Sequence, residues 1–386
     1  MVLSGLDVLI EKNFDILKGS NVGLLVNQAS VDSKLRHAVD IFAKEKSFSL
    51  KALFGPQHGL DGHTQDNMIE WNGYEDEKLS LPVYSLYGEV RQPSDDMLKG
   101  IDTIVIDLPD IGARYYTFLW TSLLMLEKCC QLGIRVVVLD RPNPINGMSI
   151  EGPTLKAGFE SFVGLYPIPI RHGMTMGELL FMMYKEKGLK GKFIVVTMKN
   201  WKRNMWFDDT KLPWVMPSPN MPTLNTAIVY PGMCLVEGTT ISEGRGTTRP
   251  FEIFGAPYFS SDVLAESLKC VDGLVFRKAS FQPSFQKHAG KVCFGGQLHV
   301  VDRNAFESVF ATLKIFETIL KNWSDKFSWK QPPYEYEYKI LPIDILFGSD
   351  EPRKALESGE KAEDLRKSWI SEETEFRKRR QDFLMY

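Results

Sequence analysis

Asp102-Thr-Ile-Val-Ile-Asp-Leu-Pro-Asp110 is short, apolar, rich in β-branched residues and closed by a polar turn. Such a run suits a strand buried on both faces, as in a parallel sheet covered by helices. Val22-Gly-Leu-Leu-Val-Asn-Gln28, Leu50-Lys-Ala-Leu-Phe-Gly-Pro56 and Ile134-Arg-Val-Val-Val-Leu-Asp140 repeat the pattern, with helical stretches between them. Leu81-Pro-Val-Tyr-Ser-Leu-Tyr87 and Phe193-Ile-Val-Val-Thr197 are further strand candidates. Strands alternating with helices predict an α/β fold with a Rossmann-like, doubly wound parallel sheet.

The second half reads differently. Pro167-Ile-Pro-Ile-Arg-His172 is extended, Thr175 caps a helix with Glu178 three residues on, and Pro213 to Pro222 is a proline-fixed loop. Beyond it lie the apolar runs Ala227-Ile-Val-Tyr-Pro-Gly232 and Val292-Cys-Phe-Gly-Gly-Gln-Leu-His-Val-Val301, then a helix over 304–321. The tail over 351–383 is charged and helical, with Arg377-Lys-Arg-Arg380 expected as a solvated face. The expected division is a Rossmann-like domain over 1–165, and over 166–386 a bridge with a smaller α+β C-terminal domain that completes an inter-domain cleft. A chain of 386 residues has length enough for about two such domains.

Composition excludes several classes. With 44% hydrophobic and 25% charged residues the chain is not a disordered one, and a net charge of −3 does not suggest nucleic acid as a partner. No apolar stretch is long enough to span a bilayer. The first residues show no signal peptide, so the chain as given reads as cytoplasmic; a leader absent from it would make the protein periplasmic or secreted. The 5 cysteines lack metal-ligand spacing, and His58 and His63 have no third ligand nearby, so no metal is expected. Glycine-rich phosphate loops and the G-x-S-x-G elbow are missing, and no cofactor is expected.

The polar tails of the strands locate a site, because ligands of open α/β sheets gather at the carboxyl ends of strands. They supply Asn27, Gln57, His58, Asp61, Asp110, Arg114, Tyr116, Asp140, Arg141 and Asn143 as candidates, and turn formation alone accounts poorly for His58, Arg114, Tyr115 and Tyr116. Glu237-Gly-Thr-Thr-Ile-Ser-Glu-Gly-Arg-Gly-Thr-Thr-Arg-Pro250 is the most unusual segment. Its glycines let a ligand approach the backbone, Thr247 and Thr248 offer hydroxyls, and Arg245 has the planar fork that matches a carboxylate. Asn220, fixed between prolines in Ser218-Pro-Asn-Met-Pro222, suits a hydrogen-bonding role.

Together with Leu139-Asp-Arg-Pro-Asn-Pro144 and Pro169-Ile-Arg-His-Gly-Met-Thr-Met-Gly-Glu178, these segments resemble the DUF1343 family over the whole chain. Pro217-Ser-Pro-Asn-Met-Pro222 and Glu243-Gly-Arg-Gly-Thr-Thr-Arg-Pro-Phe251 are the most specific parts. Characterised members of that family are exo-β-N-acetylmuramidases of the NamZ type, with a cleft between two domains and no cofactor. The resemblance implies a glycoside hydrolase acting on muropeptide fragments of peptidoglycan. Glu243 or Glu237 would be one carboxylate and Asp61 or a neighbour the other. His58, Asn220 and His172 would bond sugar hydroxyls, and Arg245 or Arg114 would clamp the lactyl carboxylate. One departure stands out: Gln57 occupies the position where the family commonly has a Glu. Either the acid has moved to Asp61, Asp66 or Glu70, or the chain acts on another sugar, or it binds sugar without hydrolysing it.

Overall fold

Every residue of the Thr103–Asp107 run is buried, as an interior strand of a helix-covered sheet requires. The computed structural model describes residues 1–65 and 68–386, so Asp66 lies outside the described residues. In chain order the strands are β1 (Asn21–Val26), β2 (Ser49–Gly55), β3 (Tyr74–Asp76), β4 (Leu81–Ser85), β5 (Thr103–Asp107), β6 (Arg135–Leu139), β7 (Glu151–Thr154), β8 (Pro169–Arg171), β9 (Phe193–Val196), β10 (Ile253–Ala256), β11 (Leu274–Phe281) and β12 (Cys293–Val300).

A 7-stranded sheet runs β3-β4-β2-β1-β5-β6-β9, parallel except for the edge strand β3. Its parallel part has the doubly wound order, with the reversal between β1 and β5. The sheet takes its last strand, β9, from beyond residue 166, so the layer expected to stop at 165 continues to 196. The helix Phe118–Leu132 follows β5 and ends at Gly133 in the left-handed conformation. The Thr175–Glu178 capping box starts the helix Met176–Glu186, as its sequence predicts.

The smaller domain holds a 3-stranded antiparallel sheet, β10-β12-β11. Ala227–Gly232 proves helical, within Leu224–Met233, because Thr223 caps it by accepting the Thr226 amide. That helix packs on Ser308–Trp323 at very short range. A Cβ added at Gly232 would sit 1.9 Å from the Ser308 carbonyl oxygen, and the Gly232 amide donates to the Ser308 hydroxyl. Gly232→Ala is therefore expected to cost about 3 kcal/mol by forcing backbone apart, read as a fall in the denaturation midpoint. An unchanged midpoint would show that the two helices slide freely.

The tail forms the helices Glu351–Glu357, Ala362–Ser368 and Ile370–Arg379 and lies against the first domain. The expected solvated face holds only for Arg377 and Lys378. Arg380 is buried and donates to the carbonyls of Met148, His172 and Gly173, while Arg379 pairs with Glu186. Backbone carbonyls at the β8 turn need donors, and the basic run supplies them. No helix among the described residues is long and apolar enough to cross a membrane.

Candidate active site

Gln57, Tyr87 and Thr117 follow the carboxyl ends of β2, β4 and β5, so the sheet delivers them side by side. The Thr117 hydroxyl donates to Gln57 Oε1 at 2.7 Å, Gln57 Nε2 donates to the Tyr87 hydroxyl at 3.0 Å, and Tyr87 donates to Glu335 Oε2 at 2.8 Å. This relay crosses from the first domain to the second. It ends at a carboxyl group that is 3% exposed.

The relay lines an inner chamber of about 40 Å³ between the domains, with room for little more than ordered water. His58, Tyr116 and Asn220 complete the first domain's wall, and Glu237, Arg245, Tyr334 and Glu335 form the other. Glu237 and Tyr334 also border an outer chamber of about 540 Å³, lined further by Glu243, Thr239, Lys287 and Lys330. That volume is in the range of small-molecule sites.

The second domain positions its charges through a tight network. Glu237 sits in the turn Cys234–Gly238 after the helix Leu224–Met233. It accepts from Arg245 Nη2 at 2.6 Å and from the Tyr334 hydroxyl at 2.7 Å. The loop carrying Arg245 is closed by the Phe251 amide donating to the Glu243 carbonyl at 2.6 Å. Glu243 pairs with Lys287 at 2.8 Å and faces Arg245 Nε at 3.4 Å. Burial works to raise the Glu237 carboxyl, but the Arg245 charge and the bonds from Arg245 and Tyr334 outweigh it and hold it below the usual carboxylate range. Burial opposes the charge on Arg245 too, and Glu237 with Glu243 keeps it firmly protonated.

Glu335 has the opposite environment. Burial pushes its carboxyl up to about 7, the nearby Glu237 charge adds to the rise, and the Tyr87 hydrogen bond works against it. Its backbone is unusual as well. Tyr334 and Glu337 exchange backbone hydrogen bonds across a two-residue turn whose central residues, Glu335 and Tyr336, both have positive φ (44° and 68°). Such turns favour Asn-Gly, and non-glycine residues there carry strain. A Glu-Tyr pair persists because its side chains are held: Glu335 by Tyr87, and Tyr336 under the Arg91 guanidinium at 3.4 Å.

His58, also at positive φ (70°), donates Nδ1–H to the Thr64 carbonyl at 2.7 Å. Burial, partly offset by that bond, lowers it to about 4, so the ring is neutral near pH 7 and offers Nε2 as an acceptor. Asn220 donates to the Gln65 carbonyl at 2.6 Å, tying the proline loop to the β2 loop.

The sequence-predicted candidates thus separate. Gln57, His58, Tyr116, Asn220, Glu237 and Arg245 meet at the inner chamber, and Glu243 at the outer one. Gln57 has both ends of its amide engaged within the relay. Arg245 does not await a ligand carboxylate, because two of the protein's own carboxylates already hold its guanidinium. Arg114 is no clamp either: fully buried, it donates to the carbonyls of Pro153, Ile168, Leu346 and Phe347, and joins the two domains.

Asp61 is exposed beside Tyr74 and lines neither chamber, which removes it as a catalytic carboxylate. Glu70 is exposed and pairs with Arg91 at 3.3 Å. Thr247 closes its own turn on Gly244, and Thr248 is exposed. Asp140 is buried and bonded to Thr175, Gly177 and Tyr386, and Asn143 to Met174 and Ile145, so both shape turns rather than face a ligand.

The remaining candidates cluster at the crevice between β1 and β5. Asn27 donates to the Pro217 carbonyl at 2.8 Å and Gln28 to the Met216 carbonyl at 2.9 Å, so the proline loop covers the crevice. Arg141 forms a bidentate pair with Asp107 (2.6 and 2.8 Å), and Asp110 accepts the Gly112 amide and faces His172 Nε2 at 3.3 Å. His172 is wholly buried and lines neither chamber.

Tyr87, Lys287, Tyr334 and Glu335 were missed by sequence reasoning. The signal available for the last two was the diproline followed by alternating aromatics and acids, Pro332-Pro-Tyr-Glu-Tyr-Glu-Tyr338.

Comparison with known proteins agrees over the full length. The family model for the N-terminal part of the exo-β-N-acetylmuramidase NamZ matches residues 22–225, and that for its C-terminal part matches 228–386. The chain is 44% identical over 388 residues to the peptidoglycan β-N-acetylmuramidase NamZ of Bacillus subtilis (strain 168), covering 100% of this chain and 91% of the relative. Two crystal structures of DUF1343 family proteins from Bacteroides fragilis NCTC 9343 are similar, one with TM-score 0.90 and 32% identity, the other with 0.78 and 27%. Each match covers 100% of this chain and 99% of the other.

Proposed function

Because the chain belongs to the NamZ family of exo-β-N-acetylmuramidases, and is a glycoside hydrolase of that kind, we propose that it releases N-acetylmuramic acid from the non-reducing ends of peptidoglycan fragments at the two-chambered inter-domain cavity. The observation that carries this reading is Glu237, an anionic carboxylate pinned by Arg245 and Tyr334 on the wall common to both chambers. Glycoside hydrolysis passes through an oxocarbenium-like transition state, and a fixed anion beside the reacting carbon stabilises the positive charge that develops there.

The sugar enters the outer chamber, which has the volume for it. Lys330 borders that chamber, and among the described residues no salt bridge holds its ammonium. It takes the role first assigned to Arg245, facing the lactyl carboxylate that distinguishes muramic acid from glucosamine. His58 Nε2 stands on the inner wall, beyond the chamber that takes the sugar.

The test is to incubate the protein with two disaccharides, one ending in N-acetylmuramic acid and one in N-acetylglucosamine, and to follow monosaccharide release. Free N-acetylmuramic acid from the first and nothing from the second is the expected result. Release from neither, from acid to mildly alkaline pH, would reject the muramidase assignment.

A further inference from the structure

We propose that Glu335 is the proton donor of the reaction: its oxygen Oε1 hands a proton to the glycosidic oxygen as the bond to the sugar's C1 breaks. The inference rests on the muramidase reading and adds the residue that reading lacks.

The geometry leaves few alternatives. Glu237 is held as an anion by Arg245 and has no proton to give, and Glu243 is taken up in its ion pair with Lys287. Asp61 and Glu70 are exposed away from the chambers. Gln57 is an amide, and His58 is neutral with its one N–H bound to the Thr64 carbonyl. Glu335 alone among these groups combines burial, a place on the inner wall and an environment that keeps a carboxyl protonated near neutrality. Tyr87 bonds Oε2, so the acidic proton resides on Oε1, which no hydrogen bond engages among the described residues. A pair of carboxylates whose surroundings push them apart, Glu335 upward and Glu237 downward, is how acid and base roles are divided at one pH. The strained Glu335-Tyr336 turn is a second, independent sign of a fixed placement.

The step balances. The C1–O bond breaks, and the departing sugar leaves as an alcohol carrying the Glu335 proton, passed through a water in the inner chamber. Water adds its oxygen to C1 and gives its proton to the Glu237 carboxylate, from which it returns to solvent. Glu335 is reprotonated from solvent. No oxidant, reductant or cofactor takes part.

The charged and titratable groups facing Glu335 are Arg91 and Arg245, Glu237, neutral His58, and the un-ionised Tyr87 and Tyr334. His58 titrates near 4, so an alkaline limb near pH 7 belongs to Glu335. Activity requires its protonated form and falls as pH rises through that value.

Leaving-group dependence tests this. Wild type and Glu335→Gln are compared on a muramic acid-terminated disaccharide, whose leaving alcohol needs protonation, and on para-nitrophenyl β-N-acetylmuramide, whose phenolate does not. The expected loss in kcat is about a thousandfold on the disaccharide and less than about tenfold on the nitrophenyl glycoside. The alkaline limb should vanish from the residual nitrophenyl activity. Tyr87→Phe supplies a second reading: removing the bond that lowers Glu335 should move the limb to higher pH. Equal losses on both substrates, or a limb unmoved in Tyr87→Phe, would overturn the proposal while leaving the muramidase reading intact. A wild type inactive on both substrates would overturn the two together.

Discussion

Glu237→Gln is expected to lower kcat on a muramic acid-terminated disaccharide by about a thousandfold or more while leaving affinity for free N-acetylmuramic acid within about threefold. Glutamine keeps the shape of the side chain and still accepts from the Tyr334 hydroxyl, so the wall of both chambers is preserved. What disappears is the negative charge opposite the reacting carbon. Arg245 loses Glu237 but retains Glu243, so the buried network stays partly compensated. The stability cost should therefore stay near the lower end for breaking a buried ion pair, about 3 kcal/mol. The same change removes a like charge beside Glu335, whose carboxyl should then titrate lower, and the alkaline limb of the residual activity should move to lower pH. Initial rates, calorimetric product binding and a pH profile check the three parts. Activity within tenfold of wild type would show that Glu237 is only a partner for Arg245.

Arg114→Met is expected to act on stability instead, by about 5 kcal/mol, or a fall of roughly 6 °C in Tm. Methionine replaces much of the aliphatic stem, so the loss comes from polar groups. The carbonyls of Pro153 and Ile168 in the first domain and of Leu346 and Phe347 in the second would each lose a donor in a site closed to water. Burial lowers this guanidinium to about 10, which still leaves it charged at neutral pH. At a temperature where the variant is folded, kcat should stay near the wild-type value, since Arg114 touches neither chamber. A large loss of kcat with unchanged Tm would return Arg114 to the substrate.

These outcomes follow the boundary of what the sequence makes legible. β1, β5, β6 and the second half of β2 were readable because strands buried on both faces must be apolar throughout, and such runs are rare elsewhere. Their polar tails announced a site, but the lateral order of the strands decides which tails meet. Gln57 follows β2, whose end opens on the second domain, and Tyr116 reaches the same wall from far along the tail of β5, whereas Asn27, Asp110 and Arg141 surround a crevice that the proline loop covers. No local pattern carries that order. Arg114 looked like a ligand clamp because an arginine near tyrosines reads alike whether it meets a carboxylate or a ring of carbonyls. Glu335 stayed hidden because the alternation around it reads as an exposed strand rather than a buried turn, and its proton depends on Tyr87 and Glu237, both remote in sequence.

The covered crevice between β1 and β5 has its own consequence. In doubly wound sheets this is where a nucleotide ordinarily lies. Here the chain covers it with its own Pro213–Pro217 segment, held by Asn27 and Gln28. A tethered segment competes at an effective concentration on the order of millimolar and never diffuses away. A free dinucleotide would have to displace a competitor that is always present, so the reversal point of this sheet is guarded by the chain itself.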